Sequence, residues 1–169
     1  NSTSFNQDLT NFTFDSLNIE DSMVNMLNSS GIDVSNYDNI LNNWSSKSVP
    51  SNVLFGTSGL EYSSAGVPGR TILKTTYSWT ITSDKFQPQN KEELQTAVNE
   101  WINDNTQALN NYGEINTWDT SLITDMSNLF NGKNTFNNDI GNWDVSNVLN
   151  MFQMFNNATV FNGNIGNWN

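Results

Sequence analysis

The amino-acid sequence predicts an α/β solenoid, a leucine-rich-repeat-like stack of short parallel strands and short helices with α/β caps. The tetrapeptide Trp-Asp-Thr-Ser at 118–121 returns as Trp-Asp-Val-Ser at 143–146, and Trp168 follows after the same interval of 25 residues. Apolar residues also recur in the same columns of successive units. A fixed period of roughly 20 to 50 residues is typical of architectures in which each unit buries its apolar face only against its neighbours.

The recurring apolar columns predict a buried spine, because each column stays apolar while the columns between them are polar. Exposed tryptophan rings are also suited to stacking on sugars, but the inward alternation of these columns favours a core. The spine residues are Phe12, Trp118, Trp143, Trp168, Ile115, Ile140, Ile165, Phe136, Phe161, Met126, Met151, Phe130 and Phe155.

A column of asparagines runs beside the tryptophans and contains Asn11, Asn142 and Asn167. Buried side-chain amides must be paired, and identical amides at one position of adjacent units can pair with each other. We therefore expect this column to form a hydrogen-bonded ladder.

Each unit is expected to consist of one strand and one short helix. Apolar residues alternate in 143–145, which predicts a strand with one face directed inward. From Val148 the spacing changes to Met151, Met154 and Phe155, which fits about two helical turns.

The beginning of the chain carries a third, offset version of the unit. Phe5 and Leu9 align with Phe161 and Ile165. After three extra residues, Met23, Val24, Met26 and Leu27 align with Met151, Phe152, Met154 and Phe155. Since the pattern begins and ends inside a unit, we expect the 169 residues to be one portion of a longer array.

The chain is predicted to have four segments. Residues 1–31 are the end of a repeat block, 32–84 its C-terminal cap, and 85–113 a linker with the N-terminal helical cap of the next block. Residues 114–169 start that block, with about two and a quarter units.

The predicted caps contain recognisable helix and strand signals. A helix is expected over 33–46, with Asp33 or Ser35 as N-cap, and a shorter helix begins near 66–73. Residues 53–55 and 76–82 read as strands. A further helix is expected from Asn90, with Glu93 three residues on, to an end near Gly113.

The repeat resembles that of BspA-like bacterial surface proteins, relatives of the leucine-rich-repeat proteins. The shared pattern is Phe-Asn-x-x-Ile-x-x-Trp-Asp-x-Ser-x-Val-x-x-Met-x-x-Met-Phe, from Phe136 to Phe155. Residues 33–83 resemble the cap that follows such repeats in Bacteroidetes proteins. The resemblance implies a secreted or surface-exposed solenoid used in adhesion or as a stalk.

Composition argues against several classes of function. The net charge of -11, with only six Lys and Arg residues, disfavours nucleic acid and anionic membrane surfaces as partners, and no run of residues resembles a membrane-spanning segment. The chain has neither His nor Cys, which removes Ser-His, Cys-His and His-metal arrangements. Carboxylate pairs remain, among Asp15, Glu20 and Asp21 or between Asp119 and Asp125, but no context identifies an acid and a nucleophile. We expect no enzyme and no catalytic residue.

Calcium is the one cofactor that the pattern leaves open. Asp119, Asp139 and Asp144 occupy matching points of successive units and would supply oxygen ligands, of which calcium takes six to eight. The alternative is that these residues cap turns and face water.

Two functions are compatible with the sequence. The first is a non-catalytic structural module of an extracellular bacterial surface fibre, stalk or giant adhesin, whose partners are copies of itself or adjacent blocks of the same chain, end to end. The second is an adhesin module whose solenoid face binds a host or environmental glycan or protein.

Overall fold

The computed structural model describes residues 2–15 and 23–169. The chain divides into two units, Asn1–Lys85 and Phe86–Asn169.

The first unit combines two helices with short strands. The β1 and β3 strands run parallel, with Leu54 opposite Thr80 and Gly56 opposite Thr82. The β2 and β4 strands form the second two-stranded sheet, and the backbone N–H of Lys85 donates to the carbonyl of Leu60 at 3.0 Å. In chain order the elements are α1 (Val34–Ser45), β1 (Leu54–Gly56), β2 (Glu61–Tyr62), α2 (Val67–Thr75), β3 (Thr80–Thr82) and β4 (Lys85–Phe86), the last of which reaches the start of the second unit.

Helix α1 begins where the sequence predicts. The side chain of Asp33 accepts a hydrogen bond from the backbone N–H of Asn36 at 2.8 Å, which pairs one of the free donors of the first turn. The helix buries Tyr37, Ile40, Leu41 and Trp44 at helical spacing. Helix α2 packs against it, and the Asn42 side chain accepts from the backbone N–H of Gly69 at 3.0 Å.

Aromatic rings make up the centre of the first unit. Trp44 is fully buried and contacts Phe14, Phe55 and Trp79, with ring centroids 5.2 to 6.3 Å apart. Its indole Nε1 donates to the carbonyl of Leu9 at 3.0 Å, so the buried polar atom is paired.

The second unit begins with two helices, α3 (Lys91–Asn103) and α4 (Asn105–Tyr112), and a short 3-10 turn (Ile115–Thr117). Asn90 caps α3 by accepting from the N–H of Glu93 at 3.0 Å, and Gly113, with a φ of 71°, ends α4. The predicted helical segment from Asn90 to Gly113 is confirmed. It is divided at Asp104, whose side chain caps α4.

The prediction of an α/β solenoid with a strand and a helix in each unit is wrong. Residues 118–169, all of which the structure describes, contain no α-helix and no strand longer than the isolated bridge between Asp125 and Asn150. The physical reason lies in the segments predicted as helix. Alternate backbone N–H groups bond sideways to residues 24 positions later, rather than within a helical turn, and Asn128, Gln153 and Asn157 have positive φ values that a helix excludes.

Candidate interaction surface

Two segments of the second unit, 124–132 and 149–157, are joined by a one-directional set of backbone hydrogen bonds. Every second residue of the first segment donates, and every second residue of the later segment accepts, at 2.8 to 2.9 Å. The donor–acceptor pairs are Met126 with Asn150, Asn128 with Phe152, Phe130 with Met154 and Gly132 with Asn156. The later segment therefore has its carbonyls paired and directs its N–H groups to the other side.

Aromatic side chains 25 positions apart lie against each other in this unit. The rings of Phe130 and Phe155 are parallel within 1°, with centroids 5.3 Å apart. Phe136 and Phe161 are arranged similarly at 5.7 Å. The columns found in the sequence are thus contacts between side chains as well as a pattern.

Helix α3 covers the 124–132 segment on the side away from 149–157. Lys91 Nζ donates to Ser127 Oγ at 2.6 Å and to Asp125 Oδ2 at 3.1 Å, and Gln95 Nε2 donates to the carbonyl of Leu129 at 3.1 Å. Hydrogen bonds from the backbone N–H and hydroxyl of Ser127, followed by the bond from Lys91, lower the pKa of Asp125 to about 2. The helix thereby supplies the donors that an otherwise open carbonyl edge requires.

The 149–157 segment has no such cover. Within the described part of the chain, the backbone N–H groups of Met151, Gln153, Phe155 and Asn157 have no hydrogen-bond acceptor.

Side-chain exposure marks the same side. Met151 is 40% exposed whereas Met126, one period earlier, is fully buried, and Phe152 is 65% exposed whereas Ser127 is 7% exposed. We call this surface the end face. It comprises Met151, Phe152, Phe155, Phe161, Ile165 and Trp168.

The predicted spine residues fall into three groups by burial. Seven are buried, five are half-buried, and Met151 is exposed. The buried ones are Trp118, Trp143, Ile115, Ile140, Phe136, Met126 and Phe130, and the half-buried ones are Phe12, Trp168, Ile165, Phe161 and Phe155. All the half-buried spine residues of the second unit belong to the end face.

The asparagines named as a ladder, Asn11, Asn142 and Asn167, are all exposed. Amide contacts between neighbouring units occur in other columns. Asn156 Nδ2 donates to Asn131 Oδ1 at 3.1 Å, and Asn137 Oδ1 accepts from the backbone N–H of Asn162 at 2.7 Å.

The aspartates named as calcium candidates serve as turn acceptors. In each of Asp119, Asp139 and Asp144, the Oδ1 atom accepts from the backbone N–H two residues later at 2.9 Å. Among the residues that the structure describes, no group of three or more Asp, Glu, His or Cys side chains is arranged to hold a metal ion. Of the carboxylate pairs considered for catalysis, Glu20 and Asp21 lie outside the described residues.

A groove of about 340 Å³ lies beside the end face and is lined almost entirely by amides, carboxylates and glycines. Its polar side chains are Asn137, Asp139, Asn142, Asn162, Asn164 and Asn167. Asn167 and Asn142, two members of the predicted asparagine column, are thus brought together here.

In the first unit, the segment 23–30 has the same alternation as 124–132. Leu27 and Ser29 donate their backbone N–H groups to Gly56 at 3.1 Å and to Ser58 at 2.7 Å. The carbonyls of Met26 and Asn28 point to no donor within the described residues. They border an open groove of about 580 Å³, whose other lining residues include Phe5, Asn25 and Ser30. We call Phe5, Asn25, Met26, Asn28 and Ser30 the start face.

The first unit also contains a buried ion pair. Arg70 Nε and Nη2 donate to the two carboxylate oxygens of Asp84, each at 2.8 Å, and the guanidinium lies 4.5 Å above the ring of Tyr62. Tyr37 donates its hydroxyl to Asp84 at 3.1 Å. Burial raises the pKa of Tyr37 well above its usual value, and the negative charge of Asp84 adds to this effect. With each charged group paired, this cluster fixes the core of the unit.

The geometry of the second unit can now be compared with known proteins. Residues 96–169 match a family model described as Mycoplasma protein of unknown function, DUF285. The match covers 74 residues, which is less than half of the chain and lies within the second unit. No curated protein and no solved structure gives a significant match to the chain. In the part that the structure describes, no helix is both long and apolar enough to cross a membrane.

Sequence reasoning missed the polarity of the two faces. The alignment of Met26 and Leu27 with Met154 and Phe155 already placed the start face and the end face in one register. What the sequence does not reveal is which edge has unpaired donors and which has unpaired acceptors, since backbone groups are the same in every residue.

Proposed function

We propose that the chain is a non-catalytic structural module of an extracellular bacterial surface fibre, stalk or adhesin, in which modules join end to end. The observation that carries the proposal is the contrast between the two sides of the second unit. Helix α3 closes one side, whereas the end face leaves four backbone donors and several apolar side chains without cover. An edge of unpaired backbone groups is a template for pairing with another segment.

Two further observations support a surface role. The repeat resembles that of BspA-like surface proteins, and the part of the chain that carries it matches a family of bacterial proteins. The net charge of -11 favours solubility and disfavours binding to nucleic acid.

Antibodies raised against the folded chain test the location. Intact cells of the producing organism are expected to be labelled at their surface or on fibres by immunogold microscopy, and brief treatment with an external protease should remove the label. A cytoplasmic protein serves as the control for cell integrity. Labelling only after permeabilisation would rule out an extracellular module.

A second candidate function is binding of a glycan in the amide-lined groove. Asn and Asp side chains donate to and accept from sugar hydroxyls, and the groove brings six of them together. An array of immobilised glycans probes this function with the purified chain. The double substitution N142A/N167A is expected to abolish any signal, whereas N110A, on helix α4 outside the groove, should retain it.

A further inference from the structure

We propose that the end face of one copy of this chain docks on the start face of a second copy, head to tail. The inference rests on the proposed function and deepens it by naming the partner and both surfaces. Its argument has three parts, namely hydrogen-bond polarity, register and apolar fit.

Hydrogen-bond polarity excludes a symmetric pairing of two end faces. The carbonyls of Met151, Gln153 and Phe155 already accept from Met154, Asn156 and Ala158 in local turns at 3.0 to 3.1 Å. The end face therefore presents backbone donors, and a second end face would offer no acceptors to them. Its partner must present carbonyls, as 150–156 does to the donors of 126–132.

The start face offers such carbonyls in the matching register. In the pairing seen within the second unit, a donor bonds to the carbonyl one residue before the next donor of the same column, as Phe130 does with Met154. Continuing that rule places the N–H of Phe155 opposite the carbonyl of Met26 and the N–H of Asn157 opposite that of Asn28. The backbone agrees, because Gly132, Asn157 and Ser29 occupy one column and all have positive φ values.

Apolar side chains follow the same register. Phe5 aligns with Phe161 and borders the open groove of the start face, and Met26 is 37% exposed beside it. If the second copy repeats the spacing found between Phe136 and Phe161, the ring of Phe161 in one copy lies about 5.7 Å from the ring of Phe5 in the next. Docking would cover exposed apolar surface on both partners.

Each copy carries both faces, so the contact is heterologous and leaves one end face and one start face free after every addition. Such a contact produces open chains of copies unless its rotation closes a ring. The net charge of -11 on each copy opposes association, and salt screens that repulsion. We therefore expect assembly to increase with protein concentration and with ionic strength.

Analytical ultracentrifugation of the purified full chain, with substitutions in each face, tests the inference. M151D/F152D should block the end face and M26D the start face, so that each variant alone is monomeric. Mixed together, the two variants should form a heterodimer and nothing larger, because one intact start face meets one intact end face. The control L149D alters a residue that is 89% exposed and whose equivalent, Thr124, is also exposed, so it should assemble like the parent chain.

Cross-linking provides a measurement that does not depend on apolar-to-charged changes. The chain has no Cys, so N156C in one protein and N28C in another supply one thiol each. A short bis-maleimide should join them in a mixture, and L149C should replace neither. Circular dichroism and a cooperative melt confirm that each variant folds.

Assembly unaffected by either face variant, a blocked variant that still forms homodimers, or a monomeric parent chain at high concentration and salt would overturn the inference. These outcomes are separate from the test of the proposed function. Surface labelling of cells together with a monomeric purified chain would reject self-association and leave the surface location standing. Labelling confined to the cytoplasm together with head-to-tail assembly would do the reverse.

Discussion

The indole Nε1 of Trp143 donates a hydrogen bond of 2.8 Å to the carbonyl of Ile115, 28 residues earlier, and both residues are buried. Trp168 makes the corresponding bond to Ile140 at 3.3 Å but is only half-buried. The same side chain therefore fills the core and pairs a carbonyl of the preceding unit. This explains why the column requires tryptophan rather than any large apolar residue.

Replacing Trp143 by Phe is expected to destabilise the second unit by about 1 to 3 kcal/mol, because the buried carbonyl of Ile115 loses its donor. Urea unfolding monitored by circular dichroism measures the change. The matched variant Trp168→Phe should cost clearly less, since its bond is longer and water can reach the site. Equal losses would show that ring volume, rather than the hydrogen bond, determines stability at this column.

Replacing Arg70 by Met is expected to destabilise the first unit by about 3 to 5 kcal/mol, because Asp84 would remain as a buried charge without its partner. The double variant Arg70→Met with Asp84→Leu should recover part of the loss. Thermal unfolding of both variants measures the effect. As a control, Lys91→Met removes a cation from the partly exposed pair with Asp125 and should lower the melting temperature much less.

The sequence predicts the caps better than the repeats, for a physical reason. Asp33, Asn90 and Gly113 act through bonds or dihedral angles of neighbouring residues, and local signals of that kind determine where helices begin and end. The spacing of Met151, Met154 and Phe155 also suits a helix, but the backbone N–H of Phe130 bonds to Met154, 24 residues later. Such long-range pairing overrides local periodicity.

The burial pattern follows the same distinction. The apolar columns indicate which side chains meet, as Phe130 and Phe155 do. They do not indicate that Met126 is covered while Met151 is exposed, because exposure depends on whether another segment lies beyond the unit. The head-to-tail surfaces therefore required the structure.

The pKa of Asp125 predicts a specific loss of stability in acid. Because its pKa is about 2 in the folded chain and 3.8 without these interactions, the carboxylate stabilises the fold above about pH 4. This contribution falls as the pH drops through 4 toward 2 and the folded state protonates. Stability of Asp125→Asn should vary less with pH in that interval. Nuclear magnetic resonance titration of the side-chain carboxyl checks the value, and a midpoint near 4 would contradict the proposed bonds to Ser127.

Removing calcium is expected to leave the chain unchanged. The Oδ1 atoms of Asp119, Asp139 and Asp144 are already bonded to backbone N–H groups. Thermal unfolding in excess chelator and in millimolar calcium chloride should give the same midpoint. Asp144→Ala should destabilise the chain in both conditions, because it removes the turn acceptor for Ser146. A midpoint that rises with calcium only when Asp144 is intact would restore the metal-site interpretation.

Gln153 is expected to be a source of backbone strain. Its φ of 53° lies in the left-handed region, which costs a side-chain-bearing residue about 1 to 2 kcal/mol, and asparagine occupies the equivalent position at Asn128. Gln153→Gly should therefore stabilise the chain by up to about 1 kcal/mol, after the greater chain entropy of glycine in the unfolded state is included. Gln153→Val should destabilise it, because a β-branched residue tolerates positive φ poorly. Urea midpoints of the three proteins measure the order. If Gln153→Val were the most stable, the segment would prefer negative φ, and the sideways hydrogen bonds that replace the predicted helix would be incorrect.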